Sequence, residues 1–232
     1  FSQRGPARLD YRLLGQAGWE YVAAYDHQGL LWERNLHAEL GYAERLIRVR
    51  WGGARIRDRY RWATWHGRIR IVNGTIHRFG SHGFEHVEES AWRTGATDIE
   101  FRSDTYGDAD SIEIDVGNLA DATIVVEGTI DGFAKVGDPL QRNPFAHAPS
   151  FRFEINGAEL LARGAATHAL GGTELFVALE RLTDQTLPVD LAGSIDVAPG
   201  NAQFGHRPVY FFGRQHNDSK VWSSAQFIRF ET

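Results

Sequence analysis

Histidine and carboxylate side chains are where this 232-residue chain could do chemistry, with ten His and thirty Asp plus Glu. Their densest gathering is His77, His82 and His86, with Glu85, Glu88 and Glu89 close by. Imidazole and carboxylate ligands suit zinc or a similar ion. In His82-Gly83-Phe84-Glu85-His86 the two imidazoles would share a face only in a helix, and Gly80 and Gly83 oppose a helix there. The segment therefore reads as a solvated polar loop after a hairpin. Asp104, Asp108 and Asp110, with Glu113 beyond, offer oxygens around Gly107, but their spacing matches no standard calcium loop. An acidic turn between two strands is the expectation there. Ser223 and Ser224 follow His216 by seven and eight residues, without the G-x-S-x-G pattern of a nucleophile elbow. Hydroxyls at a strand edge more commonly satisfy backbone groups. From these clusters no catalytic residue, metal ligand or cofactor is assigned.

Arginine and tryptophan are the other distinctive types. Arg48, Arg50, Arg55, Arg57, Arg59, Arg61, Arg68 and Arg70 crowd one stretch, with Tyr60, Trp62 and Trp65 among them. Basic surfaces bearing aromatics bind nucleic acids or anionic polymers. The net charge is −5, however, and it is uneven: residues 1–80 carry +7 and residues 81–232 carry −12. The arginine face is thus expected to pair with the acidic part or a partner domain, and nucleic acid is not the expected ligand. Seven tryptophans suggest a glycan-binding surface, for which Trp19, Trp32, Trp62 and Trp65 are candidates. The ligand-binding residues expected are Trp62, Trp65, Arg59 and Arg61. Composition alone does not separate an exposed tryptophan from a core one.

Strands are expected to carry these residues. Arg48-Val49-Arg50-Trp51 and Arg68-Ile69-Arg70-Ile71 alternate polar with apolar, which puts arginine on one face and aliphatic or aromatic side chains on the other. Further strand-like runs are Tyr21 to Tyr25, Asp98 to Arg102, Ser111 to Val116, Ala122 to Glu127, Phe151 to Ile155, Glu174 to Leu179, Pro208 to Arg214 and Lys220 to Phe230. Asn73-Gly74 and Asn156-Gly157 read as two-residue hairpin turns. Asp26-His27-Gln28-Gly29 and Asn217-Asp218-Ser219 read as further hairpin loops. The best helical candidate is short, His37 to Arg45. The pattern predicts an all-β fold, an antiparallel β-sandwich or two packed β units. Residues 1–131 form an arginine-rich β region, 132–150 an irregular connection rich in X-Pro steps, and 151–232 a β region that completes the sandwich or forms a second unit.

Composition narrows the remaining classes. The chain has no cysteine, which excludes disulfides and thiolate sites, and no apolar run approaches the ~20 residues of a membrane helix. It also has no methionine, so the expectation is a chain processed or cut from something longer.

Three stretches resemble the C-terminal region of large bacterial proteins carrying a PHP-type (polymerase and histidinol phosphatase) metallo-phosphoesterase-like domain. Arg48 to Trp51 leading to Trp65-His66-Gly67 resembles that family's R-V-x-W strand and W-x-G turn. Phe101 to Asp108 resembles its W-R-S-x-T-x-G-D stretch. Tyr210 to Gln215 and Val221-Trp222-Ser223-Ser224-Ala225 resemble its closing strands, and the order agrees. The sequence departs at Ala225, where the family usually has proline, and at His66, where it usually has aspartate. The resemblance covers most of residues 46–232. It implies a non-catalytic accessory β domain that packs on, or helps assemble, a catalytic domain or subunit of the same parent protein. That catalytic domain builds its metal site from His-x-His pairs, which this chain lacks. Two alternatives stand beside it: a carbohydrate-binding sandwich module, and a metal-dependent hydrolase using the His- and Asp-rich loops.

Overall fold

The computed structural model describes residues 2–3, 5–54, 62–131, 150–199 and 206–230. They fold into sheets, antiparallel apart from one two-residue parallel pair, with short helices, the all-β architecture that period-two alternation predicts. Two compact units result, one made of Phe1–Gly41 with Gln185–Thr232, the other of Tyr42–Asp184.

The chain opens with β1 (Ser2–Gln3), β2 (Ala7–Leu14), β3 (Trp19–Asp26) and β4 (Gly29–Asn35), then helix α1 (Leu36–Leu40). The β3–β4 hairpin closes at the predicted loop, where Asp26 Oδ1 accepts the Gln28 N–H at 2.7 Å and Gly29 takes φ +126°. Helix α1 is shorter than the expected His37 to Arg45 and ends where Gly41 takes φ +91°. Asn35 caps it, its Oδ1 accepting from the His37 and Ala38 N–H groups.

The second unit follows: β5 (Leu46–Ala54), β6 (Ala63–Val72), β7 (Thr75–His82), β8 (Ser90–Arg93), β9 (Asp98–Thr105), β10 (Ala109–Gly117), β11 (Thr123–Asp131), β12 (Ser150–Asn156), helix α2 (Gly157–Arg163), β13 (Ala165–Gly171) and β14 (Thr173–Arg181). One sheet runs β13-β14-β5-β10-β7 and the other β12-β11-β6-β9-β8. Their inner faces bury Trp51, Trp65, Phe101 and a set of isoleucines in one core.

The remaining strands, β15 (Asp190–Val197), β16 (His206–Gln215), β17 (Lys220–Trp222) and β18 (Gln226–Phe230), return to the first unit. There β16 pairs with β3, β18 and β17 share the other edge of β16, and β15 pairs with β2. Trp19, Val22, Leu36, Ile195, Val209, Phe211 and Ile228 are among the residues of this unit's core.

Three local expectations are corrected. Asn73-Gly74 does not close a hairpin: Asn73 alone takes a positive φ, 58°, and β6 and β7 enter opposite sheets. Ile69 and Ile71 on β6 and Ile76 on β7 meet the same core from its two sides, so the turn is a sheet-to-sheet crossing. Asn156-Gly157 begins helix α2 instead of turning a hairpin. Asn156 Oδ1 accepts the Ala158 N–H at 2.9 Å, and a Cβ at position 157 would stand 1.7 Å from the Leu119 carbonyl oxygen. The run Lys220 to Phe230 is broken into β17 and β18.

The unit boundaries also fall elsewhere than expected. Residues 132–149 of the irregular connection lie outside the described residues. The strands flanking it, β11 and β12, pair from Thr123↔Asn156 to Thr129↔Ser150, so the connection starts and finishes in one sheet. The division lies after Gly41 and after Asp184, which makes the second unit an insertion in the chain of the first.

Candidate functional site

The residues expected to bind a ligand separate. Trp65 is fully buried in the core, its Nε1 donating to Thr105 Oγ1 at 2.9 Å, so it is not part of an exposed platform. It lies on the inward face of β6 with Ile69 and Ile71. Trp62 is half-buried, its ring 4.8 Å from Tyr106, which His86 approaches at 5.8 Å. Arg59 and Arg61 lie outside the described residues.

Arg48, Arg68 and Arg70 of the basic stretch meet acids from the later, acidic part of the chain. Arg48 bonds Glu180 at 2.6 Å, while Arg68 and Arg70 share Asp98 at 2.8 and 3.1 Å. Arg50 lies over the Phe176 ring at 5.1 Å.

The histidine loop and the acidic turn lie side by side, the Asp104 N–H donating to Glu89 Oε1 at 2.6 Å. His82 Nε2 stands 3.6 Å from Glu113, whereas His86 leans on Tyr106. Asp104 accepts from the Thr64 hydroxyl and Asp108 from the Tyr106 N–H, both at 2.6 Å, as an acidic turn requires. Asp110 turns inward and accepts from Ser103 at 2.5 Å. Ser223 serves the backbone: its Oγ accepts the Phe211 N–H at 2.9 Å and donates to the Ser224 carbonyl at 3.0 Å.

The structure instead offers an aromatic surface on the first unit. Along β16, Val209 and Phe211 point into the core, so Pro208, Tyr210 and Phe212 point out. Residues directly opposite in a ladder share a face. Tyr210 faces Tyr25, and their rings lie 5.5 Å apart at 16°. Phe212 faces Trp222 across the β16–β17 ladder, with rings 5.0 Å apart, and Pro208 faces Phe227 on β18. Trp222 and Phe227 are each 60% exposed, and Leu30, opposite Tyr25, is 50% exposed. Tyr21 borders the patch and donates to Glu33 at 2.5 Å; burial, then that bond, raises its phenol above the usual range.

A second surface crosses the outer face of the β12-β11-β6-β9-β8 sheet. Ladder register aligns Arg152, Glu127, Arg68, Glu100 and Trp92 in one row, one residue from each strand. A shallow groove of about 430 Å³ runs along the row, with His66 on its side and Gly67 and Gly128 opposite each other in its lining. Trp92, 44% exposed, stands at its end. A Cβ at position 67 would meet the Phe101 ring at 2.1 Å, and one at position 128 the His66 carbonyl oxygen at 2.1 Å. Both positions therefore require glycine.

The third feature is a polar cluster in the first unit that sequence spacing does not show. Glu20 Oε1 lies 3.1 Å from His37 Nε2 and 2.9 Å from His216 Nδ1, and Arg214 Nε is 3.3 Å from Oε2. The available signal was the placement of Glu20 in an otherwise apolar strand, Trp19 to Ala24.

Compared with models of known protein families, with curated proteins and with solved structures, the chain shows no significant match.

Proposed function

We propose that this chain is a non-catalytic accessory β module whose aromatic face docks on a catalytic domain of the PHP type. The observation that carries this is the exposure of Trp222 and Phe227 beside Phe212 and the Tyr25–Tyr210 pair. Contiguous apolar surface of this kind marks interaction sites, and large aromatics anchor interfaces. The patch includes Tyr210 and Phe212 on β16 and Trp222 on β17, and these lie in Tyr210 to Gln215 and Val221 to Ala225, which carry the resemblance to the closing strands of PHP-bearing proteins.

The test is calorimetric titration of this chain with the PHP-type domain of its parent protein, produced as a separate chain. A saturable complex is expected, weakened about 30-fold or more by Trp222→Ala combined with Phe227→Ala. Absence of association, or affinity untouched by the double substitution, overturns the proposal.

A glycan-binding role is supported by a different observation, the Trp92 groove. Paired carboxylates and guanidinium groups beside an exposed indole match the needs of a sugar, whose hydroxyls take hydrogen bonds and whose C–H face stacks on a ring. In affinity electrophoresis through neutral and acidic polysaccharides, retention by at least one polymer is expected, and Trp92→Ala should weaken it about tenfold. Equal migration of the parent and variant in every polymer removes this role.

A further inference from the structure

We infer that Glu20, His37 and His216 form a binding site for a divalent transition metal ion, with zinc the ion that fits best. The ligand atoms Glu20 Oε1, His37 Nε2 and His216 Nδ1 all lie within 4.8 Å of one another. Donors at about 2.0–2.2 Å from a tetrahedral zinc stand roughly 3.3–3.5 Å apart. The observed 3.1 and 2.9 Å between Oε1 and the two imidazole nitrogens are within a few tenths of an ångström of that spacing. Small side-chain rotations would admit the ion. Two imidazoles and a carboxylate suit zinc and leave a fourth position open. His216 is one-third exposed while Glu20 and His37 are buried.

Each ligand is placed by a separate local device. Glu20 is the extra residue of a β-bulge: Arg214 pairs with Tyr21 and Gln215 with Trp19, which leaves Glu20 between them. The bulge lets consecutive residues, Trp19 and Glu20, both turn inward, at 2% and 1% exposure. Bulges of this type re-aim side chains beside functional sites. His37 sits in the first turn of α1, whose start is held by the Asn35 cap. His216 follows β16 and is held by its N–H donating to the Gly18 carbonyl at 2.8 Å. Arg214, at 3.3 Å from Oε2, holds the other carboxylate oxygen and leaves Oε1 for the ion. Such outer partners orient ligating carboxylates and tune the site. Because the guanidinium offsets the Glu20 charge, the bound ion keeps its positive charge. The open position therefore favours a water, hydroxide or anionic oxygen ligand.

The test uses the whole chain, stripped of metal with a chelator. Titration with zinc chloride is expected to show one saturable equivalent, and cobalt chloride a visible absorption band that zinc displaces. His216→Ala and Glu20→Gln should each weaken binding at least about tenfold, while His27→Ala, at the exposed β3–β4 loop, should leave it unchanged. Anomalous diffraction at the zinc edge from the unsubstituted protein should place the ion among the three side chains, whether or not any variant folds. Failure to bind either ion at one equivalent, binding that survives both substitutions, or an anomalous peak elsewhere overturns the inference.

Discussion

Raising the pH from about 5 to about 8 is expected to cost the Tyr42–Asp184 unit about 1.4 kcal/mol of stability per pH unit through one residue, Asp110. Its carboxyl is 1% exposed and pushed up to about 8. Burial is the main cause; the Ser103 hydrogen bond pulls the other way, and the nearby Glu89, Asp108 and Glu85 carboxylates push it further up. In the unfolded chain the same group titrates near 3.8. Between these values the folded state holds a proton that the unfolded state has lost. Stability from this group is therefore full below the unfolded value and falls as pH rises towards the folded one. Asp110→Asn keeps the shape and removes the titration. The variant should match the parent near pH 4 and exceed it by roughly 3–5 kcal/mol near pH 8. Urea unfolding of both proteins at several pH values reads this difference directly. Parallel pH profiles would mean that the carboxyl ionises in the folded state near its ordinary value.

Trp65→Ala is expected to destabilise the same unit by about 3–5 kcal/mol. The indole is fully buried, stands edge-on to Phe151 with centroids 5.5 Å apart, and donates to Thr105 Oγ1. Thr105 in turn donates to the Gly53 carbonyl at 2.9 Å, tying β9 of one sheet to β5 of the other. Alanine leaves a cavity and takes away the donor to the threonine oxygen. Trp92→Ala, at an exposed position on the outer face, should cost under about 1 kcal/mol. Denaturant unfolding of the two variants separates a core tryptophan from a surface one. A loss below about 1 kcal/mol at Trp65 would contradict its place in the core.

The pH effect has a structural origin in the core. Trp51 Nε1 donates to Ser103 Oγ at 2.7 Å, and Ser103 donates to Asp110, so a buried polar chain lies beside the Trp51–Phe101 stack, whose rings are 4.0 Å apart. Buried polar groups are tolerated where each has a partner. One carboxyl at the end of such a chain makes the core sensitive to pH.

Fold class and most strand positions were legible in the amino-acid pattern. Polar–apolar alternation along β5, β6 and β9 is a local property, because side chains in a strand point alternately to its two faces. The hairpin loops at Asp26 to Gly29 and Asn217 to Ser219 were legible for the same local reason. The backbone role of Ser223, too, follows from short-range strand-edge chemistry. Tertiary structure decided what depends on distant partners. Whether Asn73-Gly74 turns a hairpin depends on which sheet β7 joins, and it joins β10. The boundary between units depends on β16 returning to β3 and β15 to β2, pairings across almost the whole chain. Trp65 and Trp222 look alike as letters, but one faces a second sheet and the other solvent. Glu20, His37 and His216 come from a strand, a helix and the end of another strand. No period or spacing links residues that far apart, and a single-residue bulge is what turns the carboxylate towards both imidazoles.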